Sequence, residues 1–288
     1  MKLLLILSRL TRVKVCVAVV ASCAMGYLAG DTFNTAVFVK LLSGIFFLSS
    51  GASALNQFQE VSRDKRMLRT GERPLVTGAL STVAGFIIST VLLVLGFAFL
   101  AWSGVWMAFF LTGSAVLWYN GFYTPFKKYS AFAVFPGALI GAVPPVAGLV
   151  AAGVGWGDMR IPIAGLFFFM WQVPHFWLIQ LSHAGDYTKA GFPILANTMG
   201  PGQVFRVCVI WILATLWSGI ATAVFFGVHP AGILLLFLLS LWCLSWLWKL
   251  RSGFVLETTL APAGMKINIY MAVVTLLVSL NGVLGQLG

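Results

Sequence analysis

Asn56, Glu60 and Asp64 stand four residues apart in a stretch, 56–78, that reads NQFQEVSRDKRMLRTGERPLVTG. Four residues turn an α-helix by about 400°, so the three side chains fall on one slowly drifting stripe. Two carboxylates one turn apart can hold a hard divalent cation. Mg²⁺ takes one or two protein carboxylates and completes its shell with water and phosphate oxygens. Arg66, Arg69 and Arg73 follow closely, and a guanidinium fork matches phosphate oxygens. A cytoplasmic loop obeying the positive-inside rule would explain the arginines by itself. It would not explain the spaced Asn/Glu/Asp stripe.

The elements that must position these residues are apolar. The chain has 288 residues, of which 60% are hydrophobic and 9% charged, and its mean hydropathy is +0.98. That composition excludes a soluble domain and predicts an all-α, polytopic membrane bundle, one integral-membrane domain over residues 1–288. Nine spans of about 20 residues, each enough to cross roughly 30 Å of hydrocarbon, are expected near 13–30, 34–57, 79–101, 104–122, 131–153, 162–182, 204–226, 230–248 and 267–287. Gly, Pro or charged clusters punctuate them, as at Gly155-Trp156-Gly157-Asp158 and Pro262-Ala263-Gly264. The first span is preceded by MKLLLILSRLTRVK, a short apolar run followed by basic residues, which does not read as a cleavable signal peptide.

Charge sets the expected orientation. Sixteen of the 18 Lys and Arg fall in the N-terminus and the 2–3, 4–5, 6–7 and 8–9 loops; only Lys40 and Arg160 fall on the other side. The positive-inside rule therefore predicts that the loops carrying the chemistry face the cytoplasm and that the C-terminus lies outside. The net charge of +11 suits an anionic lipid surface and does not point to nucleic acid. Cys16, Cys23, Cys208 and Cys243 lie inside apolar runs without metal-site spacing and read as small buried hydrophobes. Spans 2 and 6 both end in a polar, acid-bearing segment, which predicts two halves whose sites converge.

The motif Asn56-xxx-Glu60-xxx-Asp64-xx-Met67-x-Arg69-Thr70-xx-Arg73-Pro74-Leu75 resembles the first signature of the UbiA superfamily of intramembrane prenyltransferases, in the form found in its haem farnesyltransferase branch. Two residues depart from that pattern: Glu60 stands where Asp is usual, and Arg63 where an apolar residue is. A second segment, residues 171–200, is similar to the same branch through Trp171, Gln172, Pro174, His175, Phe176 and then Asp186, Tyr187, Ala190, Gly191, Pro193 and Leu195. Related enzymes pair two acids there; here Ser182 precedes Asp186 by four, leaving one carboxylate. A third match runs from Tyr123-Thr124-xx-Lys127-Lys128 into the small-residue and Pro144-Pro145 stretch of span 5.

The resemblance implies farnesyl diphosphate and haem b as substrates, with Mg²⁺ on Glu60, Asp64 and Asp186, aided by Asn56. Arg66, Arg69, Arg73, Lys127 and Lys128 would bind the diphosphate and stabilise charge on it as it leaves. Tyr123, His175 and Tyr187 would line the substrate pocket. Pro174 is expected to break or kink its helix before His175. If the helix then runs on, His175 lies about 16 Å deeper than Asp186 and nearly on the same face. That depth suits a porphyrin whose iron takes an imidazole; a histidine that only bonds a neighbouring helix is the plainer alternative. The resemblance further implies the bacterial cytoplasmic membrane, with assembly partners in haem synthesis or terminal oxidases. A quinone precursor such as a hydroxybenzoate or naphthoate is the rival acceptor. A non-catalytic transporter or lipid-binding relative is disfavoured, because the charges cluster at one membrane face with few at mid-span.

Overall fold

A computed structural model describes residues 2–245, 247 and 256–287, and these contain helices and no strands. The first half comprises α1 (Lys2–Thr11), α2 (Val13–Leu28), α3 (Thr35–Asp64), α4 (Pro74–Thr77), α5 (Thr82–Ser103), α6 (Trp106–Leu117) and α7 (Thr124–Phe126). The second half comprises α8 (Val134–Ala151), α9 (Arg160–Ser182), α10 (Ala184–Lys189), α11 (Pro201–Phe225), α12 (Pro230–Leu244) and α13 (Leu256–Leu287). Each of the nine expected spans falls on one of these helices. Six helical segments are long and apolar enough to cross a membrane, and Val13–Leu28 and Pro230–Leu244 are apolar but shorter. The expected eighth span reaches residue 248, and Lys249 and Arg251 of the following loop likewise lie outside the described residues.

Local signals set the helix starts. The Asn34 side chain accepts from the Val37 amide at 3.1 Å and the Ser81 hydroxyl from the Ala84 amide at 3.1 Å, each satisfying a donor that a helix start leaves free. Proline opens α11 and α12 at the first turn, where its missing N–H costs nothing. Pro144, Pro145 and Pro174 lie within continuous helices. The expected break before His175 is therefore absent: α9 runs through Pro174 to Ser182, as helices in apolar surroundings do when neighbours support the turn that proline weakens.

The buried side chains form two large groups. One, including Leu41, Ile45, Leu48 and Leu100, lies among α2, α3, α5, α6 and α8. The other, including Phe167, Trp177, Ile212, Tyr270 and Val274, lies among α8, α9, α11, α12 and α13. They meet where α2 packs on α8. A Cβ at Gly26 would come within 2.0 Å of the Pro145 carbonyl oxygen, and one at Gly148 within 2.1 Å of the Cys23 carbonyl oxygen. The small residues of span 5 thus permit backbone-to-backbone packing. At the end of the bundle away from Asp64, Arg160 ties Asp31 and Asp158 together at 2.7 Å each.

Gly26→Ala should therefore destabilise the protein by about 1–3 kcal/mol, the range for overpacking a tight core. Gly202→Ala, at a position with nothing near its added methyl group, should not. Thermal unfolding of the detergent-purified variants measures both; equal midpoints would disprove the tight α2–α8 seam.

Candidate active site

The last turns of α3 carry Asn56, Glu60 and Asp64, and all three are buried. A buried carboxylate needs a partner, because desolvating a charge is costly. Lys127 Nζ donates to Glu60 Oε2 at 2.8 Å, and Arg73 Nη1 donates to Asp64 Oδ2. Asn56 Nδ2 donates to Thr124 Oγ1 at 3.0 Å. The Thr70 hydroxyl donates to the Asp64 carbonyl at 3.0 Å, which folds the following loop back over the helix end. Burial pushes the Lys127 pKa down, but the Glu60 carboxylate together with Tyr123 and Tyr119 outweighs it, and the pKa stands above the ordinary lysine value.

A π-helical turn at Trp118–Tyr123 delivers Thr124 and Lys127 to α3. Asn120 pins that turn: its Nδ2 donates to the Ala52 carbonyl at 3.1 Å and to Gln59 Oε1 at 3.2 Å, while Gln59 Nε2 donates back to the Asn120 carbonyl at 3.0 Å. Tyr123 lies below, stacked on Tyr119 at 5.7 Å and facing Phe176 of α9 at 6.3 Å, with Lys127 Nζ 5.3 Å from its ring centre.

The second acid arrives from the other half. His183 leaves helical geometry at φ −129° and separates α9 from α10, so α9 ends where the sixth span was expected to end and does not run on to Asp186. Asp186 Oδ2 accepts from the Arg69 amide at 3.0 Å, and Arg69 Nη2 donates to the Tyr187 hydroxyl at 3.1 Å. Met67, Ala190 and Phe192 pack with Tyr187 beneath this contact. The two acid-bearing segments do converge.

Nine of the residues singled out by sequence are thereby joined: Asn56, Glu60, Asp64, Arg69, Arg73, Tyr123, Lys127, Asp186 and Tyr187. Two basic residues are not. Arg66 is exposed and Lys128 half-buried, and neither side chain has a hydrogen bond or ion pair among the described residues. Asn120 and Phe192 were missed and Thr124, though part of the Tyr123–Lys128 match, was given no role; a lone amide such as Asn120 inside an apolar run is itself a signal.

No three His, Cys, Asp or Glu side chains among the described residues form a group able to hold a metal ion. Glu60, Asp64 and Asp186 each engage a different protein group instead. The donors nonetheless suit a hard dication that shares its shell with phosphate: all are carboxylate oxygens, and Glu60 Oε1 is buried without a hydrogen-bond partner, an acceptor a cation would satisfy.

His175 faces elsewhere. It lines a cavity of about 510 Å³ between α9 and α13 with Leu178, Ile179, Met265 and Asn268. Its ring stacks on Trp171 at 4.9 Å, and Trp171 Nε1 donates to Asn268 Oδ1 at 3.2 Å. The His175 Nδ1 is buried and unpartnered. Asn268, in the last third of the chain, is a pocket residue that sequence reasoning did not reach.

An apolar helical bundle with buried carboxylates and cations gathered at one end defines an integral membrane protein with a charged site at one end of its bundle. The chain belongs to the UbiA prenyltransferase family, whose model matches residues 16–280. It is 40% identical over 191 residues to the protoheme IX farnesyltransferase of Geobacter sulfurreducens, covering 65% of this chain and 70% of that one. It is 34% identical over 235 residues to that of Oleidesulfovibrio alaskensis, covering 78% and 83%. Among solved structures, one described under the biosynthesis of digeranylgeranylglyceryl phosphate synthase superposes with a TM-score of 0.76 at 16% identity, over 98% of this chain and 99% of that one. A UbiA homologue from Archaeoglobus fulgidus bound to GPP and Mg²⁺ gives 0.63 at 17% identity, over 95% and 99%.

Lys127→Met should cost on the order of 2–3 kcal/mol by stranding the Glu60 charge, less than for a fully buried pair because the Lys127 side chain keeps 20% exposure. Adding Glu60→Gln should recover most of the loss. Thermal unfolding of the single and double variants measures this; a double variant no better than the single one would rule out the charge-pairing account.

Proposed function

We propose that this chain transfers the farnesyl group of farnesyl diphosphate to a vinyl group of haem b, with addition of water, giving haem O and diphosphate. The observation that carries the reading is the convergence of two acid-bearing segments beside Arg69, Arg73 and Lys127 at one end of an apolar bundle. The relatives named protoheme IX farnesyltransferase support the acceptor, as does the imidazole of His175, whose Nδ1 is buried without a hydrogen-bond partner beside the cavity between α9 and α13. Mg²⁺, held through Glu60, Asp64 and Asp186 together with diphosphate oxygens, would neutralise charge on the leaving group.

The chain's own groups do the rest. Lys127 and Arg73 pair with Glu60 and Asp64 until a diphosphate enters, then turn part of their charge to its oxygens. Such preorganised cations stabilise charge that grows as the allylic C–O bond ionises. Asn56 steadies Thr124 and with it the segment that carries Lys127. Tyr123 and Phe176 offer ring faces between the mouth and α9, where an allylic cation is stabilised by the ring quadrupole away from bulk water. His175 would receive the porphyrin from the α9–α13 cavity. The vinyl carbon captures the farnesyl carbon, water adds to the resulting cation, and one proton is released.

Asp64→Asn should leave the protein level in membranes unchanged and reduce turnover to below about a tenth of wild type, because a neutral amide is a poor ligand for a hard cation. His175→Ala should weaken haem binding while sparing that of farnesyl diphosphate, and Arg69→Ala should do the reverse. Haem titration by absorbance and a diphosphate competition assay measure the split. Mass spectrometry of haems from producing cells tests the acceptor; a prenylated hydroxybenzoate with no haem O would replace haem b by a quinone precursor.

The site is further proposed to open to the cytoplasm of a bacterial inner membrane. A cysteine at exposed Thr188 should resist an impermeant thiol reagent in intact cells, while one at exposed Gly155 should label. The four native cysteines are buried and give little background. Labelling at Thr188 alone would invert the orientation.

A further inference from the structure

Arg63 sits on α3 between the two carboxylates, three residues after Glu60 and one before Asp64. It pairs with neither. Glu60 is taken by Lys127 and Asp64 by Arg73. The Arg63 Nη1 is buried and has no hydrogen-bond partner, and its guanidinium carbon lies 4.8 Å from the ring centre of Phe192. Lys127 Nζ approaches the same ring at 5.9 Å.

A surface arginine retained only for topology would send its head group into water along its flexible stem. Arg66, one turn on, is exposed in that way. Arg63 instead turns a charged donor inward, where an unmet hydrogen bond is costly and rarely kept without a use. Phe192 supplies a face that fixes the guanidinium plane without supplying an acceptor. The segment that bears Phe192 also bears Asp186, so the same loop that brings the second acid orients this cation. The chemistry that satisfies such a donor is an anion with several oxygens, entering beside Glu60 and Asp64.

We propose that Arg63 is a diphosphate-binding residue, held ready on the Phe192 ring and satisfied when the prenyl diphosphate enters. This rests on the prenyltransferase reading above. It assigns the anion to a side chain of α3 itself, so one helical turn presents both carboxylates for the cation and a guanidinium for the phosphate.

The test uses the full chain, purified in detergent, with inorganic diphosphate and Mg²⁺ as the probe. Arg63→Met should weaken diphosphate binding roughly ten- to a hundredfold, as expected for a charge-assisted hydrogen bond. It should raise KM for farnesyl diphosphate and leave KM for haem unchanged. Arg63→Lys should recover part of the affinity. Lys65→Met, which removes an exposed charge two residues away, should change little. The ligand-free Arg63→Met protein should be at least as heat-stable as wild type, since it loses an unmet donor; a structural arginine would lower stability instead. If Arg63→Met folds poorly, Arg63→Lys decides: wild-type affinity with lowered stability would assign a packing role. Wild-type affinity in Arg63→Met would overturn this proposal alone. Failure of the wild-type protein to bind Mg²⁺-diphosphate would overturn the prenyl diphosphate reading, and this proposal with it.

Discussion

Two carboxylates buried at the end of a membrane helix cannot stay charged without cations beside them. That constraint organises the active end of this protein. Glu60 requires Lys127, which requires the segment after α6 to turn back onto α3. Asp64 requires Arg73, which requires the loop after α3 to fold over its own helix end, where Thr70 closes it. Asp186 then receives a backbone amide from that folded loop, and the second half of the bundle is joined to the first. The cations that stabilise the fold are thus those aimed at the place where a phosphorylated substrate would sit. Under the proposed function, stability and binding draw on the same charges.

Much of this was legible in the chain before its structure. The all-helical apolar bundle, the stripe of Asn56, Glu60 and Asp64, and the meeting of two acid-bearing segments follow from periodicity, charge placement and motif spacing, and each is present. Of the nine expected spans, six lie on helices long and apolar enough to cross a membrane among the described residues. The pairing within the site was not legible. Several cations near two carboxylates allow many arrangements, and only the tertiary path selects Lys127 and Arg73 while leaving Arg66 and Lys128 aside. The two glycines at the α2–α8 seam show the same limit. Small residues announce a close approach, but only the structure names the partner backbone.

The misses have physical causes. Pro174 reads as a break or a kink on intrinsic propensity; the break is absent, because inside a packed bundle tertiary support outweighs the loss of one hydrogen bond. The interruption falls at His183, which no strong breaker marks. His175 does line a cavity, but that cavity lies against α13 and Asn268. A helical wheel drawn on α9 gives the direction of a side chain relative to its own helix and cannot say which neighbour occupies that side.

The π turn at Trp118–Tyr123 carries one consequence for the history of this chain. A π turn holds one residue more than an α turn, and each residue advances a helix by about 100°. Everything after Tyr123 is therefore rotated relative to the phase α6 would otherwise impose, and that rotation aims Thr124 and Lys127 at α3. Such a turn is equivalent to a one-residue insertion frozen into a helix. A lineage that lost that residue would keep its hydropathy and most of its motif letters while swinging the lysine away from Glu60. Removing one residue at this point would therefore break the Lys127–Glu60 pair as surely as replacing the lysine would.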